Sequence, residues 1–279
     1  MTIKIVTDGV TDITPAMAAE HGITVVPAYV NIGGRSFIDG VDLSREQFYA
    51  NLASYPTHPT TAAAAAGVFT STYEALAAAG ATEILSIHIA STVSNFFNAA
   101  RVGAEAASQV RVHLLDTGQL TMGAGFMALI AAEMAAAGES ARNILAALEE
   151  KLKRTQTIGF VDTLEFLRRG GRVSRLQASL GSILQVKPIL RIAGGEITLI
   201  ERVRTRTKLM ARAVSMMQEL APFSHLALLH ANEPGLAAQL AEQATGLVPA
   251  GQSIPIVSIT PGLGVHIGPG AVGFSCIQL

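Results

Sequence analysis

The chain has 279 residues, 49% of them hydrophobic and 15% charged, against roughly 25% charged in an ordinary globular protein, and its mean hydropathy is +0.40. Its 20 basic and 21 acidic side chains leave a formal charge of -1, too weak a field to hold a nucleic-acid backbone or an anionic membrane surface. One cysteine, Cys276, excludes an internal disulfide framework and any CxxC metal or redox motif, so the expected compartment is the cytoplasm.

In chain order, short β-rich runs at residues 3–7, 24–32, 84–89 and 112–115 alternate with Ala-rich helical stretches. That order predicts βαβ units on a parallel sheet, whose strands are apolar on both faces. Thr14-Pro15 has the form of a helix start, and Ser44 with Gln47 that of a capping box. The alanine run 62–66 reads as the first turn of a packed helix. The longest apolar stretch, 122–138, is interrupted by Glu133 and is too short to span a bilayer, so no stable membrane insertion is expected.

A helix over 141–154 sets Ile144, Leu145, Leu148 and Leu152 on one stripe. The domain boundary is placed just after it, giving an amino-terminal α/β domain (1–155) and a carboxy-terminal one (156–279). Strands at 157–161, 186–192, 196–206, 226–230 and 254–259, with a hairpin across Ala193-Gly194-Gly195, predict a mixed sheet with helices in the second half.

Ligands of open α/β sheets bind beyond the carboxyl ends of strands. Such ends are Thr7-Asp8-Gly9, the run from Ser91 to Asn95, and Asp116-Thr117; His58-Pro59-Thr60-Thr61 precedes the alanine run. Singly, Asp8, Ser94 and Thr61 read as helix caps. His266, between glycines in the segment 261–270, is the strongest local signal, because a turn-rich backbone can approach a ligand closely. His88 and His113 lie within apolar strands and read as satisfied core or near-surface residues, and no histidine pair has metal-ligand spacing. Arg172, after a double glycine, suits an anion clamp. Arg202, Arg204 and Arg206 at alternate positions would share one strand face and favour an anionic partner. Ser94, His266 and Asp8 or Asp116 could compose a hydrolase triad, but no GxSxG elbow surrounds a serine, and neither GxGxxG after a strand nor GxxxxGK occurs.

Together these segments resemble the DegV family of bacterial fatty-acid-binding proteins over essentially the whole chain. Ile5-Val6-Thr7-Asp8 resembles the family's opening strand and its DS turn, and Phe37-Ile38-Asp39-Gly40-Val41-Asp42 its YxDGxD segment. His58-Pro59-Thr60-Thr61 is similar to the PxTSQPS loop, Val93-Ser94-Asn95-Phe96-Phe97 to LSGTY, and Leu115-Asp116-Thr117 to IDS. Residues 164–173 resemble LxxLxxGGRI, and the arginine run from Arg202 and the GxHxGPG stretch from Gly264 complete the series. Gly9 replaces a usual serine, Ala62 and Ala63 replace Ser-Gln, and Asn95 replaces a common glycine.

The resemblance implies two α/β domains, a long-chain fatty acid such as palmitate in an internal tunnel, and no cofactor, metal or catalysis. It implies that Thr61 and Ser94 hold the carboxylate, with His266, Arg172 and Asn95 near it. It also implies a partner fatty-acid kinase, for which Arg202, Arg204 and Arg206 would form the docking face. A Ser94/His266 acyl hydrolase or acyltransferase is the competing reading.

Overall fold

The computed structural model describes residues 2–177 and 186–279. The first half runs β1 (Ile3–Asp8), α1 (Pro15–His21), β2 (Ile23–Val26), β3 (Tyr29–Ile32), β4 (Arg35–Ile38), α2 (Arg45–Asn51), β5 (Thr60–Ala62), α3 (Ala66–Ala78), β6 (Glu83–His88), α4 (Phe96–Ala106), β7 (Arg111–Asp116), α5 (Thr121–Ala136) and α6 (Ala141–Leu152). The second runs β8 (Thr155–Phe160), α7 (Glu165–Arg169), β9 (Leu176–Gln177), β10 (Lys187–Ala193), β11 (Glu196–Val203), α8 (Arg206–Leu220), β12 (Phe223–His230), α9 (Pro234–Gln243), β13 (Ile256–Ser258), α10 (Pro261–Ile267) and β14 (Val272–Gln278).

Strands β2-β1-β6-β7 form an all-parallel four-stranded sheet. Every residue of β6 is buried, as double-sided burial requires. A mixed seven-stranded sheet follows, in the order β13-β12-β14-β8-β10-β11-β9, and β4-β3-β5 make a small antiparallel sheet. The α/β class, parallel first and mixed second, is thus as the pattern predicts. Among the described residues no helix is long and apolar enough to cross a membrane.

Local signals act where expected. Thr14 Oγ1 accepts from Met17 N–H at 3.2 Å and starts α1, Ser44 and Gln47 complete a capping box, and Ser140 caps α6, which buries Ile144 and Leu148. Ala193 pairs with Glu196 across Gly194 and Gly195, which take φ of 58° and 82°, the left-handed pair a tight hairpin needs.

Four readings are corrected. The run 24–32 is two strands in two sheets, divided at Pro27, whose ring removes a ladder donor. The alanine run does not begin a helix at residue 62: Ala62 ends β5 and α3 starts at Ala66, because β5 pairs with β3. The segment after Pro261 is a helix, α10, before it turns. The second and third basic strand positions do not exist, since β11 ends at Val203, before Arg204, and Thr205 Oγ1 accepts from Lys208 N–H at 3.2 Å to start α8. Arg202, Arg204 and Arg206 therefore do not share a strand face. Arg202 and Arg204 are exposed, while Arg206 turns inward to Asp162 and Glu233, 2.8 Å from each.

Candidate functional site

A cavity of about 350 Å³ lies between the carboxyl end of the parallel sheet and one face of the mixed sheet, a size within the usual range for small-molecule sites. Val10, Ala28 and Ile89 close it from the first sheet. Thr157, Gly159 and Val161 line it from β8 and its end, at alternate positions, while Ile158 and Phe160 face the opposite core with Leu209, Met217 and Leu240. Leu190 and Ile192 continue the apolar wall on β10. A β-carbon on Gly159 would meet nothing within 4 Å, so the missing side chain there is open cavity.

Thr61, Ser94, Asn95, Arg172 and His266 all line this one cavity. Thr61 stands on β5, Ser94 and Asn95 before α4, Arg172 after α7, and His266 in the last turn of α10. His266 Nε2 lies 3.0 Å from Thr61 Oγ1, while its buried Nδ1 has no partner and is pressed against Gly170, where a β-carbon would collide with it. Burial, with Arg172 and His58 nearby, pushes the His266 pKa down to about 4, so the ring is neutral at pH 7 and carries one N–H. An orphaned buried N–H costs more than an orphaned acceptor. The proton therefore sits on Nε2 and is donated to Thr61 Oγ1, which leaves the Thr61 hydroxyl proton for an acceptor in the cavity.

Ser94 Oγ accepts from Phe96 N–H at 3.4 Å and keeps its own proton to donate. Arg172 donates to the Gly170 carbonyl at 2.8 Å, and no carboxylate among the described residues pairs with it. Burial, then Arg175, lowers its pKa, so an anion seated beside it would relieve an uncompensated charge. Asn95 occupies the cap position of α4 without a side-chain cap bond. Two free hydroxyl donors, an unpaired guanidinium and the amino end of a helix all favour an anion.

The helix bearing His266 is held from a distance. Asp12 Oδ1 accepts from Thr260 N–H at 2.9 Å and Asp39 Oδ2 from Gly262 N–H at 2.7 Å, so two carboxylates cap the start of α10. Asp42 Oδ2 takes the Ile38 N–H at 2.8 Å and Gly40 stands at φ 77°, folding the turn that aims Asp39. Tyr49 O–H reaches the Ile259 carbonyl at 3.1 Å, and His58 Nε2 lies 3.0 Å from the Val265 carbonyl. The roles of Asp12, Asp39, Tyr49 and His58 were not read from the sequence, because each joins residues more than 200 positions apart.

The hydrolase geometry is not assembled. Asp8 Oδ2 lies 3.0 Å from His88 Nδ1, and His88 Nε2 2.7 Å from Ser86 Oγ, which lies 2.7 Å from Tyr73 O–H. This orienter, imidazole and hydroxyl row is wholly buried, so it satisfies polar groups in the core rather than meeting a substrate. Asp116 accepts from the Ser91 and Gly118 N–H groups instead of an imidazole. Neither proposed acid touches His266. Among the described residues the capping reading also fails for Asp8, which is spent on His88, Val10 and Ile89.

The family model described as an uncharacterised protein of the DegV family matches residues 2–279. The chain belongs to the DegV family. A DegV domain-containing protein of Streptomyces coelicolor is 37% identical over 274 residues, covering 97% of this chain and 96% of the relative. Two solved structures superpose over the full length of both chains. One is a DegV family protein from Thermus thermophilus, described by its fatty-acid binding, at TM-score 0.90 and 28% identity. The other is DegV from Bacillus subtilis, described as a fatty acid binding protein, at TM-score 0.89 and 30% identity. In this DegV chain the motif residues at 61, 94, 172 and 266 come from four separate segments, and the fold brings them to one cavity.

Proposed function

We propose that this DegV protein holds a long-chain fatty acid in the cavity, non-covalently, and carries out no chemistry of its own. The observation that carries the reading is the division of one cavity into an apolar body and a polar end where Thr61, Ser94, Asn95, Arg172 and His266 converge. Burying about 14 methylenes at about 0.8 kcal/mol each gives roughly 11 kcal/mol before the cost of association. A carboxylate buried without partners would cancel much of that gain. The Thr61 and Ser94 hydroxyl protons and the Arg172 guanidinium supply the partners, with the neutral His266 orienting Thr61.

Organic extraction of the purified, denatured protein followed by mass spectrometry tests this. Free fatty acid near one equivalent is the expected result; none after expression in a lipid-replete host rejects the carrier, and a covalent adduct or ester turnover favours the hydrolase. Thr61→Val with Ser94→Ala should cut the retained acid at least tenfold with an unchanged melting temperature, and full retention sinks the head-group assignment.

The finer reading adds a partner kinase that phosphorylates the bound carboxylate, in the cytoplasm, with no further cofactor. Its docking face shrinks to Arg202 and Arg204, which are exposed, whereas Arg206 is half-buried against Asp162 and Glu233. Charge reversal at both should lower acyl phosphorylation by the kinase about tenfold while extracted lipid stays at the native amount; unchanged phosphorylation refutes the docking face. The division into domains at 155/156 belongs to the same reading: strands before it build the parallel and small sheets, and β8, which begins at Thr155, with the strands that follow builds the mixed sheet, with the cavity between them.

A further inference from the structure

Asp116, Thr117 and the hairpin glycines Gly194 and Gly195 stand outside the cavity lining, yet they converge beside it. The Gly195 N–H donates to the Gly118 carbonyl at 2.9 Å, and the Gly195 carbonyl accepts from Thr92 Oγ1 at 2.6 Å. One residue at the tip of the β10–β11 hairpin is thus gripped through both of its backbone polar groups, by the loop after β7 and by the loop after β6. A carbonyl only accepts, so the direction of the Thr92 bond is fixed. The approach is closer than a side chain permits: a β-carbon on Gly118 would lie 2.6 Å from the Gly195 nitrogen and 3.0 Å from the Gly194 carbonyl carbon. Gly118 also stands at φ 58°, which glycine adopts readily.

Asp116 and Thr117 hold the two gripping loops together. The Asp116 carboxylate accepts from the Ser91 N–H at 3.2 Å and the Gly118 N–H at 3.0 Å, so it ties the neighbour of Thr92 to the residue that meets Gly195. Thr117 donates to the His88 carbonyl through its hydroxyl at 2.8 Å and its N–H at 3.0 Å, which fastens the end of β7 to that of β6.

Each segment that meets here carries cavity wall within three residues: Val93 and Ser94 after Thr92, Leu120 after Gly118, and Ile192 and Ile197 on either side of Gly195. Of these five, Ser94 brings a side-chain donor. It stands in a tight turn in which the Ala90 carbonyl accepts from both the Val93 and the Ser94 N–H groups, at 3.2 and 3.3 Å, so Thr92 and Ser94 belong to one small unit. On the cavity side Arg172 Nε approaches the Val93 carbonyl at 3.5 Å, a long bond, and Asn95 adds no side-chain cap where α4 begins. A binding group is fully effective only when its support holds it within about 0.5 Å of the productive position.

We propose that Thr92, Gly118 and Gly195 form a clamp, braced by Asp116, that positions Ser94 for the ligand carboxylate. They are positioning residues, acting through the turn. The proposal rests on the fatty-acid reading of the cavity, with Ser94 as a head-group donor.

The test uses the full chain with its endogenous lipid removed and measures the affinity for stearic acid by displacement of a fluorescent fatty acid. Thr92→Val keeps the side-chain shape at an exposed position and removes the donor; it should weaken binding about fivefold, the net worth of one hydrogen bond, and Thr92→Ser should restore it. Gly118→Ala drives a β-carbon between loop and hairpin and, with both bonds to Gly195 disturbed, should weaken binding about tenfold or more. A double-mutant cycle decides the mechanism. In a Ser94→Ala background Thr92→Val should change the affinity less than about twofold, because the group it aims is gone, whereas damage to the cavity walls would persist there. Equal losses with and without Ser94, or no loss on Thr92→Val with Ser94 present, overturn the clamp and leave the carrier standing. If stearic acid does not bind the native chain at all, the fatty-acid reading falls and takes the clamp with it.

Discussion

Gly159→Leu should empty the cavity of lipid while leaving the protein folded. The position faces the cavity between Thr157 and Val161, and a β-carbon added there meets no atom within 4 Å. Its φ is not in the left-handed region, so a branched side chain is accommodated by β8 without strain, and strand interiors disfavour glycine. The leucine then occupies space that about four methylenes of an acyl chain would fill, worth roughly 3 kcal/mol at 0.8 kcal/mol each, or more than a hundredfold in affinity. The variant should yield less than a tenth of the extractable acid found with the native protein, at an equal or higher melting temperature. Native amounts of lipid would show that the chain lies elsewhere.

The second large effect concerns the carboxylates that cap α10. Burial, opposed in part by the Gly262 N–H and aided by Asp12, raises the Asp39 pKa from 3.8 to about 7, and burial raises that of Asp12 to about 6 against the pull of Arg45. Between about pH 4 and pH 7 the folded protein therefore binds more protons here than the unfolded chain, and stability falls as pH rises through that window. Asp39→Asn keeps a carbonyl to accept the Gly262 N–H and removes the buried charge. At about 1.4 kcal/mol per pH unit, the variant should be more stable than the native protein by a few kcal/mol at pH 8, and by less than about 1 kcal/mol at pH 4. Denaturant titrations at the two pH values decide it: an equal difference at both would mean that Asp39 is not carrying a buried proton. His266 works in the opposite sense. Its depressed pKa makes the unfolded chain the better proton binder between about pH 4 and 6.5, so its contribution is lost on acidification.

The contrast between Asp39 and Ser44 shows what could be read in advance. Ser44 and Gln47 are three residues apart and complete a capping box that depends on nothing else. Asp39 caps a helix 223 residues away, and no local pattern announces it. The glycines and histidine after Pro261 read as turns because glycine weakens a helix, yet Pro261–Ile267 is helical with its first turn held by Asp12 and Asp39. The basic triplet failed for the reverse reason: strand alternation was carried past Val203 into a residue, Thr205, whose hydroxyl starts a helix.

Local composition by itself determined most of the strands and helices, the parallel-then-mixed order of the sheets and the hairpin at Gly194-Gly195, since propensity, capping and turn chemistry act within a few residues; Thr61, Ser94, Asn95, Arg172 and His266 were marked as head-group residues by the resemblance of their motifs. Tertiary structure alone decided that those five face one cavity, that Asp8 serves His88 and not His266, and that Gly159 is an opening and Thr157 a polar spot in its wall. Such facts depend on which strand lies beside which and which face it turns inward. Hydrogen bonding and burial across the whole chain determine those, and neither has a period along it.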